Sequence, residues 1–450
     1  MKSNLLKKSM LTVVITLSTA SVYYAQSAKD TLSREADIEQ VVLTGVADIA
    51  KDRKTPVAVS TIKEAQIIEK LGNQEFPEIL NSTPSVYATK SGGGFGDSKL
   101  NIRGFSQNNI AVMVNGMPVN DMENGAVYWS NWAGLSDVTS AMQVQRGLGS
   151  SKLAISSVGG TINVVTRASD MKEGGVVSTG FGNANYLKVQ GSYNTGILKN
   201  GLSASVLLSS TTGDGYVDGT KFQGNNYFIA LGYKSNDKHD FQFTFTGAPQ
   251  WHHQRSFANT ITDYLKYGSN GEPNIKYNSD WGYKNGEEFS WARNYYHKPV
   301  MSLNWDYKIN DKMKLSSVVY ASWGRGGGTG NIGKSPFSYK TANGLVPFDE
   351  FVKFNTGQPN SIGTPLAPST APGHVGEYVT NSTTGFTRRA SVNSHDWYGA
   401  VVNLNTQLTK NLILDFGVDA RTYIGYHFRN VSDRLGASVY FDNKDINNPN

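Results

Sequence analysis

The 450-residue chain is 38% apolar and 17% charged, with 47 Gly, 23 Tyr, 8 Trp and no Cys. Its length exceeds one ordinary domain, its composition favours strands and turns over helices, and a disulfide framework is excluded. The formal charge of +6 falls to +3 once the three lysines of the first 25 residues are set aside, too small a surplus to point to a nucleic-acid partner.

Lys2, Lys7 and Lys8 precede an uncharged run from Ser9 to Val22, followed by Tyr23, Tyr24 and Ala25. This is the layout of a secretory signal peptide over residues 1–25, with cleavage predicted after Ala25 or, alternatively, after Ala20. The run is well short of the ~20 residues that cross a bilayer as a helix, and no later segment supplies them. A membrane protein of this sequence would therefore have to be a closed barrel. Residues 26–46 read as a polar leader ending in the β-type stretch Val41-Val42-Leu43-Thr44-Gly45.

Residues 47–167 carry a mixed pattern that predicts a small α+β domain. A strand is expected at 56–60. A helix follows, with Thr61 and Glu64 spaced as a capping box, Ile62, Ala65, Ile68 and Leu71 recurring every three residues, and Gly72 as its stop. A second short helix is expected over 73–80. Strands are expected at 99–103, at 110–114 before the turn Asn115-Gly116, and at 161–166.

From about Gly174 the period becomes two and stays so, the signal of half-buried strands. Phe241, Phe243 and Phe245 alternate with Gln242, Thr244 and Thr246, and Met301, Leu303, Trp305 and Tyr307 alternate with Ser302, Asn304, Asp306 and Lys308. About nine strands are predicted, at 174–182, 185–197, 201–213, 226–235, 239–248, 297–309, 313–324, 395–408 and 412–428. Four joins are tight (198–200, 236–238, 310–312 and 409–411), while those between them include the long 249–296 and 325–394. A soluble sandwich has no reason to sort its connections in this way. A transmembrane barrel does, with an apolar outer face, a polar lumen, short turns on one side and long loops on the other.

Enzyme chemistry finds no footing. Cys is absent, the seven His form no HExxH, and Ser91-Gly92-Gly93-Gly94-Phe95-Gly96-Asp97 lacks the Lys and the helix of a phosphate loop. No catalytic residue, cofactor or resident metal is predicted.

Two motifs carry a resemblance. Leu100-Asn101-Ile102-Arg103-Gly104-Phe105 with Val112-Met113-Val114-Asn115-Gly116-Met117-Pro118-Val119 resembles the plug signature of TonB-dependent outer-membrane receptors. Val144-Gln145-Arg146-Gly147, through Gly159-Gly160-Thr161-Ile162-Asn163-Val164-Val165-Thr166, resembles the end of that plug. Leu148 stands where the family usually has Pro, and Lys152-Leu153-Ala154 where it has Leu-Tyr-Gly, which leaves the subfamily open.

The resemblance implies a mainly β fold: a small α+β plug domain inside a large antiparallel transmembrane β-barrel of ~22 strands, of which about nine are present. The barrel part spans residues 174–450 and is expected to be incomplete. The leader segment Asp37, Ile38, Glu39, Gln40, Val41, Val42, Leu43, Thr44 and Gly45 resembles a TonB box, an extended segment able to add as a strand to the periplasmic partner TonB. Alternatively it is the first strand of the plug. Arg103 and Arg146 take the place of plug arginines that meet barrel-wall carboxylates in a lock, or are ordinary arginines beside glycine turns. Ligand contacts are implied at two plug apices, around Tyr87 and Phe95 and around Asp121, Glu123, Tyr128, Trp129 and Trp132, whose aromatics either stack on a ligand or pack on the wall. Trp251, His252, His253 and Arg255 are expected on a long extracellular loop, where they either meet a metal chelate or haem or are ordinary polar surface.

The function implied is TonB-dependent active transport across the outer membrane, with outer-membrane lipid around the barrel and a small extracellular ligand, by default a ferric siderophore or other iron chelate. Haem, cobalamin, glycan or peptide uptake, a passive channel, and a surface adhesin are the alternatives.

Overall fold

The computed structural model describes residues 58–442, apart from 73, 75, 92–93, 97, 148–156, 167 and 257. The predicted signal peptide, the leader and residues 37–45 lie outside the described residues.

The first part of the described chain is a small α/β unit. It opens with β1 (Val59–Lys63) and α1 (Glu64–Leu71). The helix begins later than its sequence suggests. Thr61 is paired in β1, and Gln66 Oε1 accepts the Lys63 N–H at 3.1 Å in place of the expected Thr61–Glu64 box. It stops where expected, at Gly72, whose φ of +44° is a conformation that side chains disfavour. The second expected helix is a 3-10 segment, Phe76–Ser82.

Two sheets follow. β2 (Val86–Thr89), β3 (Lys99–Ile102) and β4 (Phe105–Ser106) form one. β5 (Ile110–Val114), β6 (Met117–Pro118), β7 (Ala141–Arg146) and β8 (Gly160–Val165) join β1 in the other, in the order β1-β7-β8-β5-β6. β5 and β8 are parallel, and every residue of β5 (Ile-Ala-Val-Met-Val) is buried, as a central strand covered on both faces requires. The turn after β5 matches the sequence expectation, with Asn115 and Gly116 both at positive φ.

From β9 (Gly174–Gly182) onwards the chain is an antiparallel wall: β10 (Tyr186–Asn194), β11 (Leu202–Gly213), β12 (Phe222–Lys234), β13 (His239–Gly247) and β14 (Gln250–His253). After α2 (Ile261–Lys266) and the hairpin β15 (Trp281–Lys284) and β16 (Glu287–Ser290), the wall resumes with β17 (Arg293–His297), β18 (Val300–Asn310) and β19 (Met313–Gly333). Beyond α3 (Phe348–Asn355) and β20 (Val379–Asn381) come β21 (Phe386–Thr409), β22 (Leu412–Asp433) and β23 (Val439–Phe441).

The wall sheet has eleven strands, yet the predicted nine are legible in it. Against β12, Tyr227 opposes Gly247 in β13 and Gly224 opposes Gln250 in β14, three residues on in each direction. Against β19, β17 and β18 likewise share one register. Each pair is therefore one strand interrupted by a proline, Pro249 or Pro299, which cannot donate to the ladder. The ladders also outrun the sequence pattern, since β19 reaches Gly333 and β21 starts at Phe386. Their glycine-rich and polar outer ends carry no apolar alternation to reveal them.

Residues 254–292 and 334–385, expected as long loops, are folded. Trp291, Phe348, Phe351, Phe354, Phe386 and Leu435 make a second apolar core there, with the Phe351 and Phe386 rings stacked at 4.1 Å.

The wall has two unlike faces. Leu208, Leu231, Leu303 and Val319 lie exposed on its outer side, together with Ile229 and Phe416, a continuous apolar surface of the kind that lipid covers. The inner side was expected to be polar, and most of it is, with Ser205, Asn226, Thr244, Ser302, Asn304 and Asn403 buried there, but it also carries an apolar patch against the plug. Leu207, Phe228, Val300, Val318, Trp397 and Val401 point inwards and join Ile110, Val112, Met142, Ile162 and Val164 of the plug in one apolar core.

Asn115 ties the two together. Its side chain donates to Thr166 Oγ1 and accepts the Thr166 N–H, both at 2.8 Å, while Asn304 of β18 donates to its carbonyl at 2.7 Å. Asn115→Ala leaves the buried Thr166 N–H unpartnered and puts a less tolerant residue at positive φ. We expect a loss of roughly 2–4 kcal/mol of plug stability, read as faster hydrogen exchange of β5 and β8 with the wall strands unchanged.

Candidate functional site

The plug meets the wall through a few polar contacts set around the shared core. Asp137 lies within a 3-10 segment of the plug (Leu135–Val138), and both its carboxylate oxygens accept from Lys188 Nζ of β10 at 2.8 Å. The pair is nearly sealed from solvent. Burial pushes the Asp137 carboxyl up, outweighing the opposite pull of Lys188. The pair is held in place at a net electrostatic cost, as buried ion pairs often are.

On the other side of the plug, the segment 120–132 leans on β17 to β22. Glu123 Oε1 lies 2.7 Å from His427 Nε2, and His427 Nδ1 lies 3.0 Å from Asn393 Oδ1. Asp121 closes its own turn by accepting the N–H groups of Glu123 and Asn124 at 3.0 and 3.1 Å. Lys298, only 6% exposed, places its ammonium 5.9 Å from the Trp132 ring of the plug and 5.1 Å from the Trp397 ring of the wall. Two indole faces thus stabilise the cation where water does not reach.

Between the plug and strands β9 to β12 lies a cavity of about 400 Å³. Phe76, Phe95 and Trp129 of the plug, Tyr186 and Phe222 of the wall, and Lys276 from the folded segment beyond β14 are among its lining residues. Phe95 stacks on Phe222 at 4.4 Å, nearly parallel, and meets His252 edge-on. An apolar concavity with a few cationic groups is the usual form of a small-ligand site.

The sequence-predicted residues fall into three groups. Phe95 and Trp129 line this cavity, and Trp129 also stacks on Phe76 and donates to Gln107. Asp121, Glu123 and Trp132 face the wall at β17 to β22, while Tyr128, exposed, accepts a hydrogen bond from Asn124. Tyr87, 63% exposed on β2, touches neither place. Trp129 and Trp132 are buried in the shared core, so packing accounts for both rings.

Trp251, His252 and His253 are not on a loop, because they sit in β14, which continues β13 beyond Pro249 and is paired on both sides. Alternation sends His252 inwards to Phe95 and His253 outwards to Glu288, 2.9 Å away. Adjacent strand histidines face apart and cannot share one ion. Trp251 lies under the Arg293 guanidinium, and Arg255 caps the Ile275 and Tyr277 carbonyls.

Arg103 and Arg146 remain on the plug. Arg146 donates to the Pro84 carbonyl at 3.1 Å, and a β-carbon at Gly147 would stand 2.5 Å from Nη1 of Arg103. Among the described residues, no carboxylate pairs with either. Lys188, Lys298 and His427 were missed by the sequence reading, although each is a charged or titratable group on the lumen-facing phase of a wall strand.

Residues 51–161 match the TonB-dependent Receptor Plug Domain. The chain carries the plug domain of the TonB-dependent receptors. The chain is 23% identical over 275 residues to the Vitamin B12 transporter BtuB of Vibrio vulnificus (strain CMCP6), covering 59% of this chain and 42% of that protein. It is 24% identical over 237 residues to BtuB of Vibrio cholerae serotype O1 (strain M66-2), covering 53% and 36%. The fold is similar to that of the ferric citrate transporter FecA (TM-score 0.55, 15% identity, 84% of this chain and 49% of that one). It is also similar to the copper transporter OprC (0.56, 11%, 84% and 49%) and to BauA, the ferric preacinetobactin receptor of Acinetobacter baumannii (0.55, 13%, 87% and 52%). The chain spans less than half the length of the curated relatives it matches.

The buried pair gives a direct prediction. Asp137→Ala leaves the Lys188 ammonium uncompensated and should cost about 3–5 kcal/mol, whereas Asp137→Leu with Lys188→Met should be near neutral or stabilising. Denaturant midpoints of the complete receptor check both.

Proposed function

We propose that this receptor imports a scarce small ligand across the outer membrane by TonB-dependent active transport, the ligand being an iron chelate by preference. The observation that carries this reading is a folded plug whose apolar core is continued by the inner face of a wall that is apolar outside. Such a plug closes the lumen, so passage needs a displacement, and displacement against a shared core needs work. Residues 37–45 would receive that work by strand addition to TonB. The signal-peptide layout of residues 1–25 supplies the export route.

The cavity beside Phe95 and the segment 120–132 are the places where an external ligand would register at the plug. Arg103 and Arg146 are proposed to steady the plug. No step calls for bond chemistry by the receptor. Cobalamin is the second reading, because the relatives at 23–24% identity are named Vitamin B12 transporters.

Deletion of Asp37–Gly45 tests the proposal. Energised uptake should fall to background while ligand binding at the cell surface persists. Undiminished uptake would instead favour a passive channel, and an absence of uptake in both strains would favour an adhesin. Growth of the intact and deleted strains on ferric chelates and on cobalamin separates the two ligand readings.

A further inference from the structure

Six wall strands share one row of cross-strand partners. Phe222 opposes His252, His252 opposes Asn294, Asn294 opposes Gly328, Gly328 opposes Ser391, and Ser391 opposes Arg429. Partners in a row point to the same side of a sheet. At one end of the row that side is the inside, because Phe222 and His252 both touch Phe95 of the plug. Gly328, Ser391 and Arg429 therefore face the lumen as well.

Arg389, two residues before Ser391, shares this face. Its Nη1 donates to Ser391 Oγ at 2.6 Å, and the guanidinium lies 3.2 Å from the position of a β-carbon on Gly330. The side chain thus runs along β21 and sets its charge in the row opposite Arg429. Among the described residues, no carboxylate pairs with either arginine, and Arg429 makes no hydrogen bond. Two like charges on neighbouring strands repel.

The space beside them is clear. A β-carbon on Gly328 would meet nothing within 4 Å, and its φ lies outside the left-handed region, so the backbone does not demand glycine there. A strand glycine without a backbone reason suits a place that something must approach closely. The next row towards the plug pairs Asn393 with His427, which holds Glu123 of the plug tip. That acid is already engaged, and the arginines stand just beyond it.

We infer that Arg389, Arg429 and Ser391, above the open floor at Gly328, form an anion subsite at the plug tip that takes a carboxylate or phosphate group. Resting on the transport reading, this makes the carried ligand an anionic one. Guanidinium forks match the two oxygens of such groups, and a bound anion relieves the repulsion between the two charges. A neutral oligosaccharide gains nothing there.

The test is equilibrium binding to the complete receptor in detergent, with inorganic phosphate, citrate and ferric citrate as probes. At least one should bind, less tightly as salt rises. Arg389→Gln and Arg429→Gln should each weaken it about tenfold or more. Gly328→Ile, which keeps both arginines and fills the floor, should weaken it too, and it reads the site even if an arginine variant folds poorly. Preference for ferric citrate over the two free anions would mean that the anion arrives as part of a chelate, and preference for phosphate that it arrives as a phosphate group. Binding of none of the three to the wild type, or unchanged binding in all the variants, overturns the inference. Anion binding that survives alongside uptake indifferent to Asp37–Gly45 would leave the subsite standing and remove the transport reading.

Discussion

The plug and the inner wall share one apolar core, and the rest of the structure depends on that sharing. Val112, Met142, Ile162 and Val164 belong to a core that the plug supplies for the most part, and Leu207, Phe228, Val318 and Trp397 extend it onto the wall. Apolar side chains on a lumen face are tolerable only while something dry covers them. The plug's core runs on into the wall, and the wall needs the plug to keep those residues from water. The outer face follows another rule, because Leu208, Leu231, Leu303 and Val319 are exposed there, as on the lipid-facing side of a barrel.

Around that core the polar contacts determine orientation. Lys188 with Asp137 on one flank, Asn304 with Asn115 below, and His427 with Glu123 on the far flank fix where the plug sits. None is a strong adhesive by itself. The buried pair is electrostatically costly, and the Glu123 contact is partly solvated.

Much of this was legible in the sequence, for physical reasons that differ by element. Period-two alternation identified the wall because its outer face is uniformly apolar, and the Asn115-Gly116 turn declared itself through residues that accept positive φ. Two things were hidden. The outer ends of β19 and β21 carry glycine and arginine instead of alternating apolar residues, so they resembled loops, and the folded segment around Phe348, Phe351 and Phe386 is built from contacts distant in sequence. The candidate site was legible by region and less so by role. Phe95 and Glu123 were found at the plug tips, but the inward aim of His252 depended on a register that only the paired strands supply. The wall partners Lys188, Lys298 and His427 were invisible for the same reason.

The shared core is tested most directly from the wall side. In the complete receptor, Phe228→Ala and Trp397→Ala remove core volume without touching the plug sequence, and hydrogen exchange can be followed separately in β5 and β8 of the plug and in β12 and β21 of the wall. The account predicts faster exchange in β5 and β8 for both variants. Plug strands that keep their full protection while only the mutated wall strands loosen would contradict it.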